Sequence, residues 1–306
     1  MGKPSIGRAA ARPPAMPARR TCLLSAYYAQ VPAPTLCLVN WYHLDNIMVI
    51  SSGFSRSFRY GERPAIVSKA QIQTTASVWY DANQSANFQP ANPSNGNLIS
   101  QWNDSSTGHT AHNAAPSGGN PAKPTYVTPS LNGMATLSFN GSNNLQVNAG
   151  NPPNWLASQS GFTMFVVAKL TSLAGTPYVT DSDQSGFSIY YNGTNYVART
   201  AGGTGTSTVT GDTTNWHIFG MIFDGSAGGN DSRLRFRYDK VAQTLNFGAT
   251  TVNNITNAST KTFIVGYDGS ANNMTGNIAE IIMWTYTLDS GSVTSVEKYL
   301  SDKWAI

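Results

Sequence analysis

The sequence predicts an all-β protein: a two-sheet jelly-roll sandwich with a short C-terminal helix, preceded by an extended N-terminal arm. Three observations carry this. From Thr74 onward, segments of alternating apolar and polar residues recur between stretches rich in Gly, Asn, Ser and Pro, as expected of short strands joined by turns. Charged residues make up only 11% of the chain against 40% apolar residues, so the core is large and the turns are polar without being charged. No internal period of about 20–50 residues is present, which excludes propellers and solenoids and leaves two packed sheets for roughly a dozen strands.

The arm comes first. Residues 1–47 contain no acid before Asp45, and Arg8, Arg12, Arg19 and Arg20 are interleaved with Ala and Pro, which forbids a continuous helix. An extended segment ordered against a partner is expected. Arg19-Arg20 ahead of Cys22-Leu23-Leu24 resembles a twin-arginine export signal, but Pro32 and Pro34 interrupt the apolar stretch such a signal needs. Met48 is an alternative start. Residues 48–73 mix Phe54, Phe58 and Tyr60 with Arg56, Arg59 and Arg63. These arginines are expected to contact protein rather than nucleic acid, because no nucleic-acid-binding motif accompanies them. Residues 1–73 hold nine Lys/Arg against Asp45 and Glu62, a balance of +7, whereas residues 74–306 hold ten against thirteen acids, a balance of −3. The formal charge of +4 therefore belongs to the arm. The division expected is a basic arm or anchor, 1–73, and a sandwich, 74–306. Cys22 and Cys37 both lie in the arm and read as free thiols, a bridge between them being the alternative. No apolar run approaches the roughly 18 residues of a membrane span.

The strands follow as 77–81, 98–104, 134–140, 162–170, 186–192, 216–224, 233–239, 262–267 and 277–286. Segments 162–168 and 216–223 are apolar on both faces and are expected at the centre of a sheet. In the last strand Ile278, Glu280, Ile282 and Trp284 alternate with Ala279, Ile281 and Met283, so it too should lie between two layers. Asp289 or Ser290 can cap a final helix, where Val293, Val296, Tyr299, Leu300 and Trp304 form one apolar stripe. That helix is expected to close the open end of the sandwich.

Gly276-Asn277-Ile278-Ala279-Glu280-Ile281-Ile282-Met283-Trp284, followed by Val296-Glu297-Lys298-Tyr299-Leu300-Ser301-Asp302-Lys303-Trp304, resembles the closing signature of laminin-G-like domains. Residues 78–82, 99–104 and 137–142 are similar to the early strands of the same domains, which belong to the concanavalin A-like lectin/glucanase superfamily and occur in phage virion structural proteins. The resemblance covers roughly residues 74–306. It implies the sandwich fold, a hairpin turn at Asp239-Lys240 where the family often has Asn-Gly, and the function classes to be weighed.

An enzyme is weighed first. Glucanases of this superfamily carry paired carboxyls as Glu-x-Asp-x-x-Glu on one strand. The only glutamates here are Glu62, Glu280 and Glu297, so that motif is absent and no catalytic residue is assigned. His109 and His112 sit in a Gly/Asn/Ser-rich loop without further metal ligands, and His217 reads as a packed, hydrogen-bonded core residue. No cofactor is expected. Calcium, which laminin-G-like domains often hold at the sandwich rim, is left open on Asp181, Asp183 and Asp268, whose ordinary role is turn chemistry.

For carbohydrate, the candidate platform is Tyr190, Tyr191, Asn192, Asn195 and Tyr196, with Tyr178 nearby. Tyr190 and Tyr191 must face opposite ways in a strand. Arg233, Arg235 and Arg237 alternate with Leu234, Phe236 and Tyr238, so three guanidinium groups are expected on one sheet face, with a solvated face as the default. They join Arg56, Arg59 and Arg63 as candidate partner contacts. Asn-x-Ser/Thr triplets such as those at Asn83, Asn103, Asn140 and Asn192 are ascribed to composition. The expectation is a non-catalytic structural or binding protein: a virion or surface-assembly component of decoration, fibre or spike type, anchored by its arm among other subunits or copies of itself. The alternative is an exported carbohydrate-binding or adhesion module for cell-surface glycans.

Overall fold

In this computed structural model the residues described are 68–107, 112–116, 122–147, 159–182, 187–200, 202–255, 263–267 and 272–306, with the backbone of 48–49 and 57–58. The chain divides into two compact units, Met1–Glu62 and Arg63–Ile306. Of the first, one antiparallel pair is described, β1 (Met48–Val49) with β2 (Ser57–Phe58). Cys22, Cys37, Arg56, Arg59 and Arg63 lie outside the described residues.

The second unit contains, in order, α1 (Lys69–Thr75), β3 (Val78–Asp81), β4 (Phe88–Gln89), β5 (Gln101–Trp102), β6 (Thr125–Val127), β7 (Thr136–Asn140), β8 (Leu145–Val147) and β9 (Gly161–Leu170). Then come β10 (Tyr178–Asp181), β11 (Phe187–Tyr191), β12 (Asn195–Thr200), β13 (Gly203–Thr210), β14 (His217–Asp224), α2 (Asn230–Arg233), β15 (Leu234–Tyr238), β16 (Val241–Gln243), β17 (Phe263–Val265), β18 (Thr275–Trp284) and α3 (Ser290–Trp304). Eight strands form one sheet in the order β16-β15-β14-β9-β18-β7-β6, with β3 also paired to β18. Six form the other, β13-β12-β11-β10-β17-β8. The protein is an all-β sandwich.

The long strands β9, β14 and β18 are apolar on both faces because both faces are covered. Met164, Val166, Phe219, Met221, Ile281 and Met283 meet Val179, Ile189, Tyr196 and Ala198 of the six-stranded sheet between the layers. On the other face Phe165, Val167, Ile218, Ile222, Ile282 and Trp284 pack with Ile72 of α1 and with Val293, Val296, Leu300 and Trp304 of α3. The final helix therefore lies flat on the outer face of the larger sheet and does not close an end of the sandwich, as the sequence had suggested. A two-faced strand needs a second apolar cover, and the α3 stripe supplies it. Asp289 caps this helix, its Oδ1 accepting from Ser292 N at 2.9 Å.

Four other differences from the sequence reading have local causes. The compact unit begins upstream of residue 74, because α1 is part of it: Ser68 caps the helix and Ile72 is buried. The expected strand 98–104 shrinks to β5, with Leu98 making an isolated bridge to Thr125. Arg233 falls in the short helix α2 rather than in β15. Finally β4, β6, β8, β10, β12 and β13 were not anticipated, for most are only two to four residues long and β13 is rich in Thr and Gly. In β13 the glycines are required, since a Cβ at Gly203 would lie 2.5 Å from Val252 and one at Gly205 would lie 2.7 Å from Leu245. At Asp239-Lys240 the expected hairpin turn is present, with both residues left-handed (φ 48° and 69°), the backbone of a two-residue primed turn between β15 and β16.

If α3 is the cover of this face, Leu300→Ala should cost about 2–5 kcal/mol in urea unfolding, the usual penalty for emptying a fully buried leucine site. A loss well under 1 kcal/mol would mean that the helix does not bury this face.

Candidate ligand-binding site

Among the described residues no helix packs on the outer face of the six-stranded sheet. A bulge shapes this face. The β10–β11 register shifts between Tyr178, opposite Tyr190, and Thr180, opposite Ile189. The extra residue turns Val179 and Thr180 inward, so Tyr178 and Asp181, three apart, emerge on the same outer face. Alternation continues in β11 and β12, where Phe187, Ile189, Tyr191, Tyr196 and Ala198 face the core and Ser188, Tyr190 and Arg199 face outward.

These outward residues form one cluster. The rings of Tyr178 and Tyr190 stack at 4.6 Å with an interplanar angle of 8°. The Arg199 guanidinium carbon lies 5.8 Å from each ring centroid. Arg199 Nε donates to Ser188 Oγ at 3.0 Å, and Nη2 donates to Asp181 Oδ1 at 3.2 Å. Burial is graded across the cluster, with Asp181 1% and Tyr178 6% exposed and the side chain of Arg199 at 29%. Tyr190 is half-buried. Burial pushes the Asp181 carboxyl up to about 6 against the pull of Arg199, and pushes the Tyr190 hydroxyl up as well. Asp181 Oδ2 is buried without a hydrogen-bond partner among the described residues.

The six carbohydrate candidates thus separate three ways. Tyr178 and Tyr190 come together. Tyr191 and Tyr196 meet in the core at 5.6 Å and 64°, and burial pushes the Tyr196 hydroxyl up to about 12. Asn192 closes the β11–β12 hairpin, its Oδ1 accepting from Thr194 N at 3.0 Å and Asn195 N at 2.9 Å. The sequence reading missed Ser188 and Arg199. The signal that could have found Arg199 is the Tyr196-Val197-Ala198-Arg199 alternation, once that segment is read as a strand.

Asp183, Asp268 and His109 lie outside the described residues. Asp181 sits at the end of β10 facing a guanidinium rather than in a rim loop. Among the described residues no group of three or more His, Cys, Asp or Glu is placed to hold a metal. The three arginines do not share one face either. Arg233 donates to the carbonyls of Gly225, Ala227 and Val252 and clasps the loops there. Arg235 is exposed. Arg237 finds its counter-charge within the chain, at Glu297 of α3, through Nε at 2.5 Å and Nη2 at 2.9 Å.

His112 is buried beside Asp104, and His217 is packed and hydrogen-bonded, as expected: Nδ1 lies 2.8 Å from Asp239 Oδ2 and the ring stacks on Tyr238 at 4.6 Å. The cross-strand carboxyls Asp81 and Glu280 lie under α3, 1% and 0% exposed, closed to a polysaccharide.

No family model matches the chain, and no curated protein does. Among solved structures, Trypanosoma rangeli sialidase aligns over 78% of this chain and 35% of its own length at 13% identity and TM-score 0.47, so the chain spans about a third of it. The binding domain of botulinum neurotoxin serotype D aligns over 74% of this chain and 52% of its own at 11% identity and TM-score 0.46. Domain 4 of AbnA, a GH43 extracellular arabinanase from Geobacillus stearothermophilus solved with arabinotriose, aligns over 74% and 99% at 15% identity and TM-score 0.44.

The raised Asp181 carboxyl has a sign. The folded chain holds that proton more tightly than the unfolded chain, so the contribution is present below the ordinary value of 3.8 and fades as pH rises through about 6. Asp181→Asn should therefore gain on the wild type between pH 4 and pH 7.5, by at most about 3 kcal/mol. Urea unfolding across that range checks it; parallel pH profiles for the two proteins would refute the assignment.

Proposed function

We propose that this chain is a non-catalytic binding module of laminin-G-like type whose ligand is a carbohydrate held against Tyr190 and Arg199. The observation that carries the reading is the stacked tyrosine pair with a guanidinium beside it on a sheet face that no described helix covers. A sugar ring presents an apolar C–H face that packs on an aromatic ring and hydroxyls that need donors and acceptors. Arg199 uses two of its N–H groups on Ser188 and Asp181, and a guanidinium has five. Asp181 sets the direction of the guanidinium and neutralises its charge, which suits an uncharged ligand.

The non-catalytic part of the reading is supported by the missing glutamate motif and by the burial of the Asp81–Glu280 pair. The setting we propose is display on a larger assembly, a virion or a cell surface, among other subunits. Its support is the partition of charge, +7 before residue 74 and −3 after it, which makes the N-terminal segment the element suited to grip an acidic partner surface.

Tyr190→Ala removes the half-buried ring and should weaken binding to glycans selected from an array about tenfold, as loss of roughly 1–1.5 kcal/mol of stacking implies, while the chain stays folded. Calorimetry with the selected glycan measures this, and a reducing-end assay should detect no hydrolysis. Unchanged affinity in the variant, or released sugar, would defeat the reading. A chain starting at Arg63 should fold and still bind glycan yet fail to join its native assembly; co-assembly at the wild-type level would refute the anchoring role.

A further inference from the structure

A second cluster, unused by the binding reading, lies between β3, β18 and α3. Asp81 and Glu280 are directly opposite on neighbouring strands. Lys303, in the last turn of α3, places its Nζ 2.7 Å from Asp81 Oδ2 and 2.8 Å from Glu280 Oε2. The side chains of Asp81, Glu280 and Lys303 are 2%, 0% and 14% exposed. Aromatic groups wall the site. Trp79 Nε1 and Tyr299 Oη donate to Glu280 Oε1 at 2.6 and 3.1 Å, Trp304 Nε1 donates to Oε2 at 2.6 Å, and Lys303 Nζ lies 4.7 Å from the Trp304 ring centroid. On the far side Asn83 N donates to Asp81 Oδ1 at 3.0 Å and Gln84 Nε2 to Oδ2 at 3.1 Å.

One ammonium between two buried carboxyls is more acid than an ion pair needs, and burial, the largest influence on Glu280, pushes its carboxyl toward holding a proton. An ammonium, a carboxyl oxygen and a proton carrier are thus in contact and largely shielded from water, with hydrogen-bond donors already on the carboxyl oxygens. That is the arrangement amide formation requires.

We propose that Lys303 and Asp81 become joined by an isopeptide bond within the folded chain, with Glu280 carrying the proton. The Lys303 ammonium passes a proton through Glu280 to Oδ2 of Asp81, and the freed amine lone pair attacks Cγ of the now neutral carboxyl, forming the C–N bond. The N–H of Asn83 and the amide of Gln84 hold the oxygens of the tetrahedral intermediate. Glu280 then takes a second proton from the nitrogen and delivers it to Oδ2 as the Cγ–Oδ2 bond breaks and water leaves. Of the three ammonium hydrogens, one stays on the amide and two depart in the water. The positive charge of Lys303 and the negative charge of Asp81 vanish together, nothing is oxidised or reduced, and Glu280, its ammonium partner gone, ends by taking up one proton from solvent, the direction in which burial already pushes it. The bond ties the first strand of the sandwich to its last helix, closing nearly all of the second compact unit into a ring.

The purified full chain, denatured, should weigh one water (about 18 Da) less than its sequence. Proteolysis should release the peptide containing Asp81 joined to the peptide containing Lys303. Lys303→Arg, which keeps the charge, should show the full sequence mass, and Glu280→Gln should form the bond at least about tenfold more slowly. Recovery of Asp81 and Lys303 from folded wild-type protein in separate, unmodified peptides would overturn the proposal, and this measurement decides it even if neither variant folds.

Discussion

The arrangement depends on one buried carboxylate. Glu280 sits in the middle of β18, an interior strand of the larger sheet, wholly out of water, and receives four donors from Trp79, Tyr299, Lys303 and Trp304. An unpaired charge there would cost several kcal/mol, so the donors must be present whenever the strand is. Three of them belong to α3 and one to β3. The carboxylate therefore specifies where the helix lies and which strand borders β18, which apolar contact alone, being non-directional, would leave loose. Arg237 and Glu297 add a second polar tie between the helix and β15.

The helix layer also settles how the two sheets divide their work. With α1 and α3 on the outside of the eight-stranded sheet, its central strands are apolar on both faces and are committed to structure. The six-stranded sheet carries no described helix, so its outer face can hold polar residues, and its strands contain Thr, Ser, Gly and Arg between inward-facing apolar residues. The candidate site lies on this second sheet for that reason. A ligand platform needs half-exposed aromatic and polar groups, which the covered sheet cannot display.

Two bulges matter more than their size suggests. In β18 the register slips between Ile278 and Glu280, so Ile278 faces the inter-sheet core while Glu280, Ile282 and Trp284 face the helices. In β10 a similar slip brings Tyr178 and Asp181 to one face. One extra residue inverts the facing of everything beyond it, and in both places a carboxyl reaches its partners as a result. The sequence carries no marker for either bulge, since neither contains a glycine or a proline.

The sequence alone determined the all-β class, the long two-faced strands β9, β14 and β18, the capped C-terminal helix, the primed turn at Asp239-Lys240 and the opposed facing of Tyr190 and Tyr191. These rest on local periodicity and turn chemistry, which a chain carries residue by residue. Only the tertiary structure decided that α3 lies on the outer face of a sheet, that Arg199 and Asp181 join Tyr178 and Tyr190, and that Asp81, Glu280 and Lys303 meet. Those groups come from distant parts of the chain, and what brings them together is strand order and bulge register, which are set by how the layers pack and not by any one segment.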